Sequence, residues 1–88
     1  MSIDLHAIIR RPLSTEKSIR MMETQNTLIF AVDARATKPE IKQAMELVFK
    51  TKVRRVNTYI HKKGEKRAYV KFSPETPAID IATNLGLL

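Results

Sequence analysis

His6 and His61 are the only imidazoles in these 88 residues, and there is no cysteine. Acid–base or nucleophilic catalysis needs two groups within hydrogen-bond reach of each other. Neither histidine has a Ser, Asp or Glu at a spacing that marks such a pair, so both read as surface histidines. Without cysteine there is no thiolate metal site and no disulfide framework. No G-x-x-x-x-G-K-[ST] or H-E-x-x-H run occurs, and Gly64 and Gly86 are the only glycines. The chain is therefore expected to be no enzyme and to hold no metal or cofactor. The chemistry its residues can do is neutralise phosphate. Lys52, Arg54 and Arg55 crowd one short stretch, followed by Asn57, Thr58 and Tyr59. Arg67, Tyr69 and Lys71 alternate in the next. Guanidinium, amide and phenol side by side suit phosphate oxygens and ribose hydroxyls. The same residues also fit an ordinary solvated sheet face, or one covered by a second layer of helices.

The charge balance points the same way. Sixteen Lys and Arg face nine Asp and Glu, for a net charge of +7 and a pI near 10.1. A short, strongly basic domain favours a polyanionic partner. The excess spreads over several elements, which favours a folded face over a floppy arm. At 88 residues, 1–88 is expected to be a single domain, burying only roughly 60–65% of its unfolded surface. No apolar run approaches the roughly 18 residues of a membrane span. The start, M-S-I-D-L-H, lacks a basic segment leading into an apolar one, so no secretory signal is expected and the default compartment is cytoplasm.

The elements that must position these cations follow from periodicity. Thr37 to Ile60 is the organising stretch. Thr37 and Glu40 make a capping box, and Pro39 fits the first turn of a helix running to about Lys50. Ile41, Ala44, Met45, Val48 and Phe49 form its apolar stripe. A basic strand, Val53 to His61, follows. Strict alternation puts Arg54, Val56, Thr58 and Ile60 on one face and Val53, Arg55, Asn57, Tyr59 and His61 on the other, which predicts a half-exposed edge strand. Lys62, Lys63 and Gly64 turn the chain into a hairpin with Lys66 to Phe72, where Ala68, Val70 and Phe72 share a face.

Upstream, Ile3 to Leu13 reads as a short edge strand or irregular arm. Its Arg10–Arg11 pair is either a solvated end or a clamp on nucleic acid. Ser14 is the expected cap of a helix to Glu23, with Thr24, Gln25 and Asn26 as a turn. Thr27 to Asp33 is apolar on both alternating sets, as a central strand covered on both faces requires. Near the end, Thr76 and Pro77 start a helix with Ala78, Ile79, Ala82 and Leu85 as its stripe, and Gly86 suits a left-handed stop.

The expected fold is α+β, in the order β-(α)-β-α-β-β-(α), with a small, mainly antiparallel four-stranded sheet covered by helices. Two parallel strands joined by a helix, with a third inserted antiparallel between them, puts the strand at Leu28 beside the strand at Val70.

The run K-P-E-I-K-Q-A-M-E-L-V-F-K-T-K-V-R-R-V-N-T, Lys38 to Thr58, resembles the signature of the large-subunit ribosomal protein L23 family. R-R-P-L-S-T-E-K, Arg10 to Lys17, is similar to its N-terminal motif, and A-I-D-I-A-T-N-L-G-L-L resembles its archaeal and eukaryotic branch. The resemblance implies a structural constituent of the large subunit. It implies binding to large-subunit rRNA at the rim of the polypeptide exit tunnel, beside neighbouring ribosomal proteins. It also implies a docking platform for nascent-chain factors such as signal recognition particle. Glu16 takes the place of the glutamate through which bacterial members meet trigger factor. Bacterial members carry a long basic hairpin loop that enters the tunnel; here only His61 to Lys66 joins the strands, so no such probe is expected. On this reading the rRNA-binding residues are Arg10, Arg11, Lys17, Lys38, Lys42, Lys52, Arg54, Arg55, Asn57, Tyr59, Lys62, Lys63, Lys66 and Arg67. The cations supply mainly backbone contacts, and Asn57 and Tyr59 closer RNA or hairpin contacts.

Two other classes remain open. K-R-A-Y-V-K-F, Lys66 to Phe72, echoes half of a single-stranded RNA-recognition motif, which would stack bases on exposed aromatics. The stretch Ser14 to Arg20 alternatively serves a pure protein-interaction platform.

Overall fold

Two capping boxes and two left-handed stops set the helix boundaries. In the computed structural model, which describes residues 5–87, Thr37 caps α3 (Lys38–Phe49): its hydroxyl accepts from the Glu40 amide, and Glu40 Oε1 accepts from the Thr37 amide at 2.9 Å. Lys50 ends α3 in the left-handed region, at φ 52°. The cap of α2 (Glu16–Gln25) is Thr15 rather than Ser14, because Ser18 lies three residues on from Thr15 and returns the second bond of the box. α2 continues past Glu23 to Gln25, and Asn26 stops it at φ 52°.

Asn26 is more than a turn residue. Its side-chain amide donates to the carbonyls of Phe72, Ser73 and Thr76, and its carbonyl oxygen accepts from the Ala78 amide at 2.6 Å. It thereby caps α4 (Ala78–Asn84) from a distance, where Pro77 at the helix's own cap position offers no side-chain bond. Gly86 is left-handed, as its place after the helix requires.

The strands are β1 (Ile9–Pro12), β2 (Thr27–Val32), β3 (Val53–Ile60) and β4 (Lys66–Phe72), ordered β1-β2-β4-β3 with every neighbouring pair antiparallel. β2 and β3 therefore run the same way, joined through α3, with β4 inserted between them. Leu28 pairs with Val70. The Ile3–Leu13 stretch is the edge strand β1 preceded by a short helix, α1 (Leu5–Ile8); Ile3, like the rest of 1–4, lies outside the described residues.

One face of the sheet carries the core. Phe30, Val32, Ala68, Val70 and Phe72 meet Ile8, Ile41, Ala44, Met45, Ala78 and Ala82 from the helices. β2 is buried at every position, including Ile29 and Ala31 on its second face. β1 pairs with β2 at Phe30, Ala31 and Val32, the Leu13 amide donates to the Ile29 carbonyl just beyond, and α2 packs along β2 as well. Two stripe positions differ from expectation. Val48 and Ile79 are exposed, and Ile81 takes the inward place in α4. A short helix against a flat sheet buries a narrow stripe, and these two fall at its margin.

The edge strand β3 departs from strict alternation. Val53 pairs with Phe72 and Arg55 with Lys71, which leaves Arg54 as the extra residue of a β-bulge. Val53 thus faces the core beside Val56, both buried, instead of sharing a face with Arg55.

Candidate nucleic-acid interface

The hairpin register assembles the basic sheet face. Across β3 and β4, Arg55 stands opposite Lys71, Asn57 opposite Tyr69, and Tyr59 opposite Arg67. These six side chains lie on the face away from the core and are exposed or half-buried. Cross-strand neighbours sit about 4.5–5.5 Å apart at Cβ, and like charges placed so are destabilising. The Arg55–Lys71 pair is therefore a local cost to the free fold.

Aromatic packing and a lysine organise the rest of the face. The Tyr59 and Tyr69 rings meet edge to face, with centroids 5.1 Å apart. Lys17, on α2, reaches in from the side and holds its ammonium 5.3 Å from the Tyr69 centroid. The neighbouring Tyr69 hydroxyl raises the Lys17 pKa above the usual value. Burial pushes the Tyr69 phenol up, but nearby Lys17 and Tyr59 outweigh that and bring it down. Tyr59 first, and Glu65 second, raise the Arg67 pKa.

Two hollows flank β3. On the open face a recess of about 100 Å³ is lined by Gln25, Thr27, Arg55, Asn57, Tyr69 and Lys71, with Met21 at its wall. On the α3 side a shallower, wider groove of about 370 Å³ is lined by Lys38, Lys42, Arg54 and Arg55, floored by Pro39 and Val56. Arg55 borders both. Among the described residues, none of Lys38, Lys42, Arg54, Arg55 or Lys71 pairs with a carboxylate.

The opposite edge is different. Arg11 pairs with Glu65 at 2.5 Å, and Glu65 also accepts from Arg67 at 2.9 Å. Arg10 lies 3.7 Å from buried Asp33, which takes a two-pronged bond from the Arg35 guanidinium and another from the Arg35 amide. The Arg35 side chain and then its amide hold the Asp33 carboxyl well below the usual range. Arg67 and, after it, Arg11 lower that of Glu65. Lys66 donates to the Ala36 carbonyl at 2.6 Å and ties the hairpin to the loop before α3.

With that geometry in view, the sequence model described as Ribosomal protein L23 matches residues 7–80. The chain belongs to the ribosomal protein L23 family. Membership makes it a large-subunit ribosomal protein, of a family that is structural rather than enzymatic and that implies ribosomal RNA and ribosomal proteins as partners and the ribosome as its place. No described helix is long and apolar enough to cross a membrane.

The residues expected to meet RNA in this ribosomal protein L23 member thus fall into groups. Arg55, Asn57, Tyr59, Arg67 and Lys17 gather on the open face. Lys38, Lys42 and Arg54 gather in the groove. Lys52 is exposed just before β3, and Lys62 and Lys63 are exposed in the hairpin turn. That turn is closed by Gly64 at φ 85° and by two 2.7 Å bonds at His61, whose side chain is half-buried. Arg10, Arg11, Lys66 and Arg67 hold the fold together through partners of their own. Glu16 stands apart on α2, exposed, 3.5 Å from Arg20. The His6 side chain lies outside what the structure describes. Lys71 and Tyr69 belong with the open face as well. Their alternation with Arg67 is visible in the sequence, and the His61–Lys66 turn sets the register that places them opposite Arg55 and Asn57.

Phe72 is 1% exposed and part of the core, so it offers no base-stacking surface. That removes one aromatic from the single-stranded RNA-recognition echo in Lys66 to Phe72.

Proposed function

We propose that this chain, as a single domain over 1–88, binds large-subunit rRNA at the rim of the polypeptide exit tunnel of cytoplasmic ribosomes. There it helps form a docking platform for nascent-chain factors such as signal recognition particle, with Glu16 on the factor-facing side. The observation that carries RNA binding is the Arg55–Lys71 pair. Two cations stand opposite each other on an edge hairpin, and no described carboxylate relieves them. A polyanion supplies what the protein withholds. The family match supports the ribosomal setting. The tight His61–Lys66 turn fits a domain that stays at the rim rather than probing the tunnel.

The test replaces Arg54 and Arg55 with Ala and measures affinity for large-subunit rRNA against salt. Each phosphate left without its cation lowers the slope of log K on log salt by roughly 0.7–0.9, so a fall of about 1.4–1.8 is expected for two. An unchanged slope removes these residues from the binding face. Retention of salt dependence together with loss of short single-strand affinity on Tyr69→Ala would favour the stacking reading instead. For the platform, a photo-cross-linker at Glu16 on translating ribosomes should capture signal recognition particle; capture of rRNA alone would place that face inward.

A further inference from the structure

We propose that the edge strand β3 seats as a ridge in the minor groove of a paired RNA segment, with one phosphate strand along each of its flanks. The inference rests on the rRNA-binding reading above and specifies what kind of RNA surface the site takes.

The bulge is the starting point. A regular strand would send Arg54 and Arg55 to opposite faces at the cost of turning either Val53 or Val56 outward, because the two valines would then fall on different faces. The extra residue lets both valines remain in the core while the arginines serve both flanks. Arg54 joins Lys38 and Lys42 in the α3-side groove, Lys71 and Asn57 occupy the open-face recess, and Arg55 borders the two. Successive side chains leave a strand on opposite faces, so cations on the two flanks, with the strand between them, call for two backbone segments.

Paired RNA fits this shape better than a single strand. Proteins that hold single strands stack successive bases on open aromatic faces. Here the rings of exposed Tyr59 and half-buried Tyr69 pack on each other, and Lys17 sits over Tyr69. The minor groove of A-form RNA is wide and shallow, and displays 2′-hydroxyls between its two phosphate strands. A ridge carrying Asn57 and the unpaired backbone groups of an edge strand offers partners for those hydroxyls.

The experiment is hydroxyl-radical footprinting of deproteinised large-subunit rRNA with the full chain and three variants. The wild type should protect two short tracts on opposite strands of one helix. Lys71→Gln should open one tract, and Lys38→Gln with Lys42→Gln the other. Deletion of Arg54 keeps the pairings on either side of the bulge and should open only the tract that depends on Lys38 and Lys42. Salt slopes should fall by roughly 0.7–0.9 for each phosphate released, with circular dichroism reporting that each variant is folded. A single protected tract, protection confined to an unpaired loop, or variants that all open the same tract would overturn the two-strand arrangement. Equal affinity for a polyglutamate peptide would overturn it too. Absence of any protection by the wild type would instead remove the rRNA-binding reading itself.

Discussion

The two edges of the sheet carry the same device with opposite consequences. Each edge strand holds an Arg–Arg pair, and each has its register shifted at that pair, between Ile9 and Arg11 in β1 and between Val53 and Arg55 in β3. At β1 the arginines meet carboxylates: Arg10 faces Asp33 and Arg11 faces Glu65. At β3 they meet more cations: Lys71 across the strand, Lys38 and Lys42 across the groove. The dipeptide and the backbone are alike, so the difference is set by what the fold brings alongside. One edge is neutralised by the protein, and the other keeps its cations without a described carboxylate. An arginine pair in a sequence is thus evidence for a binding surface only after its carboxylate neighbours have been counted.

The strongest way to break the contrast is to give β3 the neighbour that β1 already has. Lys71→Glu places a carboxylate directly opposite Arg55. It removes one cation and occupies a second, so the salt slope for rRNA binding should fall by roughly 1.4–1.8, two phosphates' worth. Stability should move the other way. An opposed like-charge pair becomes an opposite-charge pair, worth roughly 0.2–1 kcal/mol on a sheet. Urea midpoints and binding isotherms on the same preparation check both signs. A variant that binds as before, or that loses stability, would show that the Arg55–Lys71 pair is not held in reserve for a ligand.

A smaller effect is expected from the converse change. Glu65→Gln removes the carboxylate that occupies Arg11 and Arg67. β1 then resembles β3 in charge, and rRNA binding should engage at most about one more phosphate, a slope steeper by roughly 0.7–0.9. The variant should be less stable at neutral pH, since the hairpin base loses its link to β1. An unchanged slope would mean that the β1 edge lies away from RNA even when its cations are released.

How far these features were legible depends on whether their cause is local. The α3 capping box, the Pro39 first turn, the alternation of β4 and the left-handed Gly86 are each set by residues within four positions, and each was readable. The parallel β2 and β3 with β4 between them followed from the apolar faces of two strands. Asn26 was not readable as a hub, because its partners lie 46 to 52 residues away. Ser14 was the expected cap, and the answering Ser18 hydroxyl selects Thr15 instead. The bulge did leave a trace. V-R-R-V sets two apolar residues three apart, which an unbroken strand cannot bury on one face. Of the candidate cations, their number was evident, but the sorting of the β1 pair was not: Asp33 lies 23 positions from Arg10 and Glu65 54 positions from Arg11 (33 − 10 and 65 − 11).

The mildest perturbation of the comparison is acid. Arg35, joined by Arg10, holds the Asp33 carboxyl below its ordinary 3.8, and Arg67 with Arg11 holds Glu65 below 4.5. A carboxyl whose folded pKa is depressed contributes stability that is complete above the unfolded value and is lost as pH falls through the folded one. Both contributions therefore stand at neutral pH and drain away only below about pH 4.5 for Glu65 and 3.8 for Asp33. Both reach β1 through Arg10 and Arg11, Glu65 also binds Arg67 at the turn end of the hairpin, and no described carboxylate pairs with Arg54 or Arg55 at β3. Acidification through that range should loosen the β1–β2 pairing and the turn end of the hairpin at Arg67, while the Val53–Asn57 end of β3 keeps its protection, as amide hydrogen exchange would report strand by strand. Glu65→Gln should blunt the change at Arg11 and leave the part due to Asp33. Parallel loss at both edges would mean that the ion pairs at β1 do not hold it, and that the two arginine pairs differ less than their surroundings imply.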